Sequence, residues 1–332
     1  MLLDKAREEY LVYRRSEGYK DNTVRVDNVA IKRLEKITGN IPVKGVTTAH
    51  IDRLYEYMTE QGLDNVTINL STTVLRHFFR WAIDRGYRPG DNPLAGRRTR
   101  PVGSKPQPRI PLAQFPALLE AARTPRDRML ISLGLYTMGR AGELTGIQMK
   151  DVDLDSGEIA LFISKSNLYD RMPISKELRR EIARWLPLYE AECGPVQPHW
   201  YLVPSVQGGK HLPTTGNPLR PTKRMVNPED PVKHALTQIG VTGYRTGCHV
   251  LRRSSSRAMF DELVLMGYDG ALRIVSAWLH HSSVLMTEKY LSLDLDRANR
   301  DNVAKGELMF PSLEADNVVP FRKEDDGYSD AM

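Results

Sequence analysis

Cysteine is scarce in this chain, with two residues, Cys193 and Cys248, among 332. They can form at most one disulfide, and neither sits at a metal-ligand spacing. A disulfide scaffold and a cysteine-based metal module are thereby excluded, and a reduced, cytoplasmic protein is expected. No stretch reaches the roughly 18 apolar residues of a membrane-spanning helix. The opening MLLDKAREEY is charged within four residues and has no apolar core of a secretory signal. No internal repeat is visible. What is present is ordinary for a globular chain: 41% hydrophobic residues, enough for buried cores in two domains.

Acidic residues are missing from one place in particular. Between Gly96 and Arg109 the sequence holds Arg97, Arg98, Arg100, Lys105 and Arg109 and no carboxylate. Its prolines and glycines deny it a helix, and it has no apolar period, so it divides the chain. The formal charge of +6 is spread unevenly. Residues 1–110 carry 20 Lys and Arg against 13 Asp and Glu, whereas residues 311–332 carry 2 against 6. A basic body with an acidic tail suits a polyanion partner, and the five linker cations suit DNA phosphates. An ordinary solvated linker has the same composition.

Read in order, residues 1–95 form an all-helical unit. Helices are expected over Leu3 to Arg15, from Asn22 or Thr23 to Gly39 with Val26, Val29, Ala30 and Leu34 on one face, from Thr47 or Thr48 to Gly62, and from Asn65 to Gly86. Residues 96–110 are the basic linker. Residues 111–310 form a second, mixed unit. There Leu112 to Ala122, Arg126 to Met138 and Lys176 to Tyr189 read as helices. Val152, Leu154, Ile159, Leu161 and Ile163 alternate around a Ser156-Gly157 turn as a β-hairpin, Arg171 to Ile174 adds a third strand, and Trp200 to Val203 is a further strand-like run. Residues 311–332 are acidic, without period, and expected to be disordered. The class is mainly α with a small antiparallel β-sheet.

Cutting a phosphodiester without a metal needs cationic hydrogen-bond donors on the nonbridging oxygens, an in-line nucleophile, and an acid for the leaving oxygen. The second unit offers a candidate for each. Arg140 precedes Glu143 by one helical turn, close enough for the acid to orient the guanidinium or a neighbouring histidine. Lys165 closes the hairpin strand. His249 and Arg252 sit three apart at a helix start, on one face beside free backbone N–H groups. His281 follows Arg252 by 29 residues, and Tyr290 follows His281 by nine. Taken singly these are an ion pair, a turn lysine and surface side chains. The pair His280-His281 has no carboxylate or third histidine at metal-ligand spacing. Tyr290 is one of fourteen tyrosines, and a phenol near pKa 10 needs nearby cations to become a usable nucleophile.

The joint order Arg140, Lys165, His249, Arg252, His281, Tyr290 resembles the tyrosine recombinases of the phage integrase family. The resemblance runs through Arg140-Ala141-Gly142-Glu143-Leu144, His249-Val250-Leu251-Arg252, Leu279-His280-His281-Ser282-Ser283 and Thr287-Glu288-Lys289-Tyr290. Two departures stand out: Met138-Gly139 where the family usually has Gly-Leu, and His280 where it has Gly. The resemblance implies a SAM-like, four-helix core-binding domain followed by a mixed α/β catalytic domain. It implies Tyr290 as nucleophile and His249 as its acid/base partner. Arg140 and Arg252 become phosphate clamps, Lys165 the acid for the leaving 5′ oxygen, His281 an added donor, and Glu143 a supporting acid. It implies a 3′-phosphotyrosine intermediate with no cofactor or metal, double-stranded DNA attachment sites, and a homotetramer on two such sites with a directionality factor possible. Met1 leads directly into the first helix, which implies that the arm-binding domain of many integrases is missing. Leu291 to Phe310, with Leu291, Leu293, Leu295 and Met309 apolar, is the expected tether between protomers. A phage-type integrase, a chromosome-dimer resolvase or transposon-type recombinase, and a DNA-binding protein without catalysis remain as readings. A type IB topoisomerase uses related chemistry.

Overall fold

The computed structural model describes residues 1–103, 107–164, 166–208, 218–243 and 245–293. Contacts divide the chain into two compact units, Met1–Lys105 and Pro106–Met332. Lys105, Lys165, Leu295, Met309 and the acidic tail lie outside the described residues.

The first unit is built on α1 (Leu3–Ser16), α2 (Asp21–Thr38), α3 (Thr48–Glu60) and α4 (Asn65–Asp84). Local chemistry sets their starts. The Asp64 carboxylate accepts from Thr67 N at 2.8 Å, satisfying a free N–H of α4. Thr47 N donates to His50 Nδ1 at 3.0 Å at the start of α3. Leu3 and Tyr10 of α1, Ile31 and Leu34 of α2, Leu54 and Met58 of α3, and Leu75, Phe78 and Phe79 of α4 meet in one core. Phe78 meets the Tyr10 ring edge-on at 5.4 Å.

The inward face of α2 holds Val26, Ala30 and Leu34 as the apolar count expects, and departs from it at one position. Val29 is 39% exposed, and Asp27 takes an inward position instead. Its carboxylate accepts from Arg14 Nε at 2.8 Å with both side chains buried, and the Arg14 guanidinium lies over the Tyr19 ring at 3.3 Å. A buried pair contributes little net stability, but removing one partner leaves a charge with nothing to offset its desolvation. Asp27→Ala is therefore expected to destabilise this unit by about 3 kcal/mol, read as a lower urea midpoint; an unchanged midpoint would mean that Arg14 is solvated.

The first half of the basic stretch folds back on this unit. Asn69 accepts from Arg100 N at 2.8 Å and donates to Arg100 O at 2.9 Å, Asn65 donates to Pro101 O at 2.8 Å, and Arg76 donates to Arg97 O. The guanidinium carbons of Arg97 and Arg100 lie 4.6 and 5.2 Å from the Tyr55 ring centre, and Arg97 is paired with Asp52. A freely solvated linker therefore does not describe residues 96–101. Charge composition could not reveal the docking, because Tyr55, Asn65 and Asn69 sit on helices 27 or more residues upstream.

The second unit contains α5 (Phe115–Glu120), α6 (Pro125–Thr137), α7 (Ala141–Leu144), β1 (Val152–Asp153), β2 (Glu158–Ile163), β3 (Leu168–Pro173), α8 (Lys176–Cys193), β4 (Pro204–Val206), β5 (Leu219–Arg224), α9 (Glu229–Gln238), α10 (Cys248–Leu265), α11 (Ala271–Trp278) and α12 (Val284–Leu291). Every residue from Met129 to Leu135 is buried, so α6 is the central helix, apolar all round. It approaches α10 so closely that a β-carbon at Gly134 would lie 2.6 Å from Leu251 Cδ1. The order β1-β2-β3 is antiparallel throughout, with Val152 opposite Ile159 and Ile163 opposite Leu168. Ile159, Leu161 and Ile163 point into the core and Phe162 points out, as the period of two requires.

Two expectations need correction here. Trp200 to Val203 is not a strand. Tyr201 makes a single bridge to Gln148, and the paired strand is β4, antiparallel to β5. Leu202 and Val203 are instead core residues, and Trp185 Nε1 donates to Leu202 O at 2.9 Å. Leu291 is not a tether residue. It is buried with Met138, Val275 and Leu279 in a small core that seats α12.

Candidate active site

The site is assembled where three chain breaks meet. The first follows α6. Met138 ends that helix at φ 54°, and at Gly139 a β-carbon would crowd the side chains of Leu144 and Leu161. Arg140 then takes extended geometry and starts the short α7. Glu143, buried, accepts from Arg140 N at 2.7 Å and from Arg140 Nη1 at 2.9 Å. One carboxylate thus fixes both the backbone and the guanidinium of Arg140.

The second break opens α10. Gly247 holds φ 150°, and any β-carbon there would overlap the Glu229 carboxylate. That carboxylate accepts from Cys248 N at 2.9 Å, at the positive end of the helix. His249 comes one residue later and lines a cleft of about 720 Å³, together with Gln107, Glu229, Arg245, Arg253, Lys289 and Tyr290. Arg252, on the same face, is buried and donates to Met138 O and to Leu279 O, the latter at 2.6 Å. It therefore ties the end of α6 to the end of α11. Two of its five N–H donors are used in this way. Arg253 donates to Pro108 O at 3.1 Å and Gln107 Oε1 at 3.2 Å.

The third break follows α11. His280 adopts φ 52°, a left-handed conformation that costs an L side chain about 1 kcal/mol and suits glycine. Its Nε2 lies 2.6 Å from Asp170 Oδ2 on β3. His281 Nδ1 lies 3.0 Å from Thr287 Oγ1, and its ring meets Tyr290 edge-on at 5.4 Å. The guanidinium carbons of Arg252 and Arg253 lie 5.9 and 5.5 Å from the Tyr290 ring centre. The Tyr290 hydroxyl is buried and makes no hydrogen bond of ordinary geometry among the described residues.

Electrostatics follow from this crowding. Burial raises the Tyr290 pKa, while Arg252, Arg253 and Arg140 pull it back down. Burial lowers the His249 pKa below the ordinary histidine value; Glu229 opposes that shift, and Arg252, Arg253 and Arg140 add to it. His249 is therefore neutral at pH 7 and able to take a proton. Among the described residues no three His, Cys, Asp or Glu gather as a possible metal site.

Residues 108–297 match the phage integrase family, and residues 1–94 match the phage integrase SAM-like domain. The chain belongs to the phage integrase family. Tyrosine recombinase XerC of Ralstonia pickettii is 27% identical over 278 residues, covering 77% of each chain. A lambda integrase dimer bound to a COC' core site shares the fold at TM-score 0.65 and 17% identity, over 88% of this chain and 77% of that one. A lambda integrase tetramer bound to a Holliday junction gives TM-score 0.63 at 18% identity, over 87% and 77%.

Within this integrase-family fold, Arg140, Glu143, His249, Arg252, His281 and Tyr290 converge in one unit, whereas Lys165 lies outside the described residues. Of the linker cations, Arg97 and Arg100 are held against Tyr55 and Arg98 lines the same hollow. Arg109 is exposed, and Lys105 is not described. Sequence reading missed Glu229, Arg253 and Asp170. Arg253 had a signal, a second arginine directly after Arg252; Glu229 and Asp170 had none.

Proposed function

We propose that this protein is a site-specific DNA recombinase of the phage integrase type, cutting and rejoining duplex DNA through Tyr290. The reading is carried by one observation: Tyr290 is buried beside Arg252, Arg253 and His281, in the wall of a cleft that His249 also lines. Tyr290 Oη attacks the scissile phosphorus, forming a 3′-phosphotyrosine as the bond to the 5′ oxygen breaks. His249, neutral at pH 7, takes the phenolic proton, and Lys165 donates one to the departing 5′ oxygen. Arg140, held by Glu143, and Arg252 meet the charge that develops on the nonbridging oxygens, and His281 adds a donor. A 5′ hydroxyl from a partner site then reverses the step, so the bond energy is conserved and no nucleotide or metal is consumed.

The partner is duplex DNA bearing attachment sites, with Arg98 and Arg109 among the phosphate contacts, and the protein acts in the cytoplasm. Four protomers on two sites are supported by the likeness to the lambda integrase tetramer on a Holliday junction. Leu265 and Met266, 82% and 68% exposed at the end of α10, offer apolar surface for a neighbouring protomer. An accessory directionality factor belongs to the same reading. The likeness to XerC favours a resolvase as the second reading. Plasmids carrying two captured sites distinguish the two, since an integrase joins unlike sites and a resolvase recombines like ones.

The test is covalent capture. The protein is mixed with a library of random-sequence duplexes, each carrying a single nick that traps the cleaved state, and SDS-resistant adducts are recovered and sequenced. A shared core sequence is the expected result; no adduct from any duplex overturns the proposal.

The proton inventory sets the pH dependence. Because the folded His249 pKa lies below its ordinary value of 6.5, the base stays available down to that pH. Protonation then favours the unfolded chain, so activity and stability are both lost as pH falls further. Adduct formation is expected to be flat above pH 6.5 and to fall below it. Glu229→Gln removes the charge that raises this pKa and should move the acid limb to lower pH; movement upward would exclude the Glu229–His249 coupling.

A further inference from the structure

Two parts of the second unit that are distant in sequence are joined at one point. Asp170 sits on β3 opposite Leu161 of β2, in the ladder that ends at the pair Ile163 and Leu168. In the sequence the connection beyond that pair carries Lys165. His280 reaches Asp170 across 110 residues, Nε2 to Oδ2 at 2.6 Å. The other ring nitrogen, Nδ1, is buried and has no hydrogen-bond partner among the described residues, so Asp170 is what fixes the ring. The backbone of His280 pays for this placement with a left-handed φ of 52° that a glycine would adopt freely. The next residue is His281, in edge contact with Tyr290 and 3.0 Å from Thr287. A residue whose backbone is strained and whose side chain is held by a single partner, directly before a residue of the site, is placed to transmit position.

We infer that His280 is a positioning residue: its hydrogen bond to Asp170 sets the β2–β3 hairpin against the turn that presents His281, holding the leaving-group side and the nucleophile side of the reaction at one spacing. The inference rests on the recombinase reading above. His280 and Asp170 touch neither the DNA nor the nucleophile in this scheme. Without them, the turn that presents His281 keeps its own holds, Arg252 on Leu279 O and Thr287 on the His281 ring, whereas the hairpin loses its tie to that turn, so their loss falls on protonation of the departing 5′ oxygen.

The experiment uses the full chain and a nicked duplex recovered by covalent capture. Asp170→Ala and His280→Gly are each expected to slow adduct formation about tenfold while affinity for the duplex, read by fluorescence anisotropy, stays unchanged. The double variant should be no slower than the slower single one, because both remove the same bond. His280→Gln, which keeps an N–H near the Nε2 position, should recover most of the rate. When sulfur replaces the bridging 5′ oxygen, the leaving group needs no proton, and the deficit of both single variants should shrink to within about twofold. Wild-type rates in both single variants, a double deficit equal to the product of the singles, or a deficit that persists with sulfur would each overturn the inference. Failure of the wild-type protein to form any adduct would instead strike the recombinase reading, a result distinguishable from all of these.

Discussion

Tyr290→Phe is expected to bind duplex DNA like the wild type and to form no covalent adduct at any pH. The substitution is close to isosteric, so the edge contact with the His281 ring and the packing against Arg252 and Arg253 survive. What is lost is one oxygen, and with it the attacking atom. The effect on folding should have the opposite sign to the effect on chemistry. The hydroxyl is buried without a hydrogen bond of ordinary geometry, and burying an unsatisfied hydroxyl costs about 1–3 kcal/mol. The nearby guanidinium of Arg252 offsets part of that cost. Thermal stability should therefore be unchanged or raised by up to about 1 kcal/mol. An inactive variant that is also destabilised by 2 kcal/mol or more would mean that the hydroxyl is structural. An adduct that persists would transfer the nucleophile to another tyrosine, of which Tyr268 is exposed in the same unit.

The order and spacing of Arg140, His249, Arg252, His281 and Tyr290 are properties of the chain itself, and so is the alternation that makes β2 a strand. Local periodicity also placed the helices of the first unit to within a few residues. It failed where a tertiary contact overrode composition. Asp27 turns inward because Arg14 is there to meet it, so the apolar count found Val26, Ala30 and Leu34 on the core side of α2 but misplaced Val29. Residues 96–101 read as an unattached basic linker, yet asparagines on α4 bind their backbone. Leu202 and Val203 look like strand residues, but they fill the core of the second unit, and the bridge in that run is made by Tyr201. His280 is the clearest case. From sequence it was a glycine position filled by the wrong residue, whereas in the fold its left-handed backbone and its partner Asp170 account for both halves of that oddity. Glu229 carries no motif at all; its role depends on the close approach that only Gly247 permits.

Arg252→Lys is expected to cost both stability and rate, and the comparison with Arg140→Lys separates the two. The Arg252 guanidinium is buried and donates to the carbonyls of Met138 and Leu279, which lie on separate loops of the site. Lysine keeps the charge but presents a single ammonium, which cannot fork to two carbonyls and still face a phosphate. One buried carbonyl is left unsatisfied and the turns carrying Arg140 and His281 lose their common anchor, so destabilisation of about 2–3 kcal/mol follows. Loss of a planar donor at the developing phosphoryl charge should slow adduct formation a further 10²–10³-fold, roughly the effect of deleting one oxyanion-hole donor. Arg140 is held differently: Glu143 is its one side-chain partner among the described residues, and its side chain remains 28% exposed. Arg140→Lys should therefore lose a similar factor in rate with little change in melting temperature. Equal destabilisation by the two substitutions would show that Arg252 is not the tie between the loops. An Arg252→Lys protein that cleaved at the wild-type rate would remove Arg252 from the phosphate altogether and leave it as the structural centre of the site.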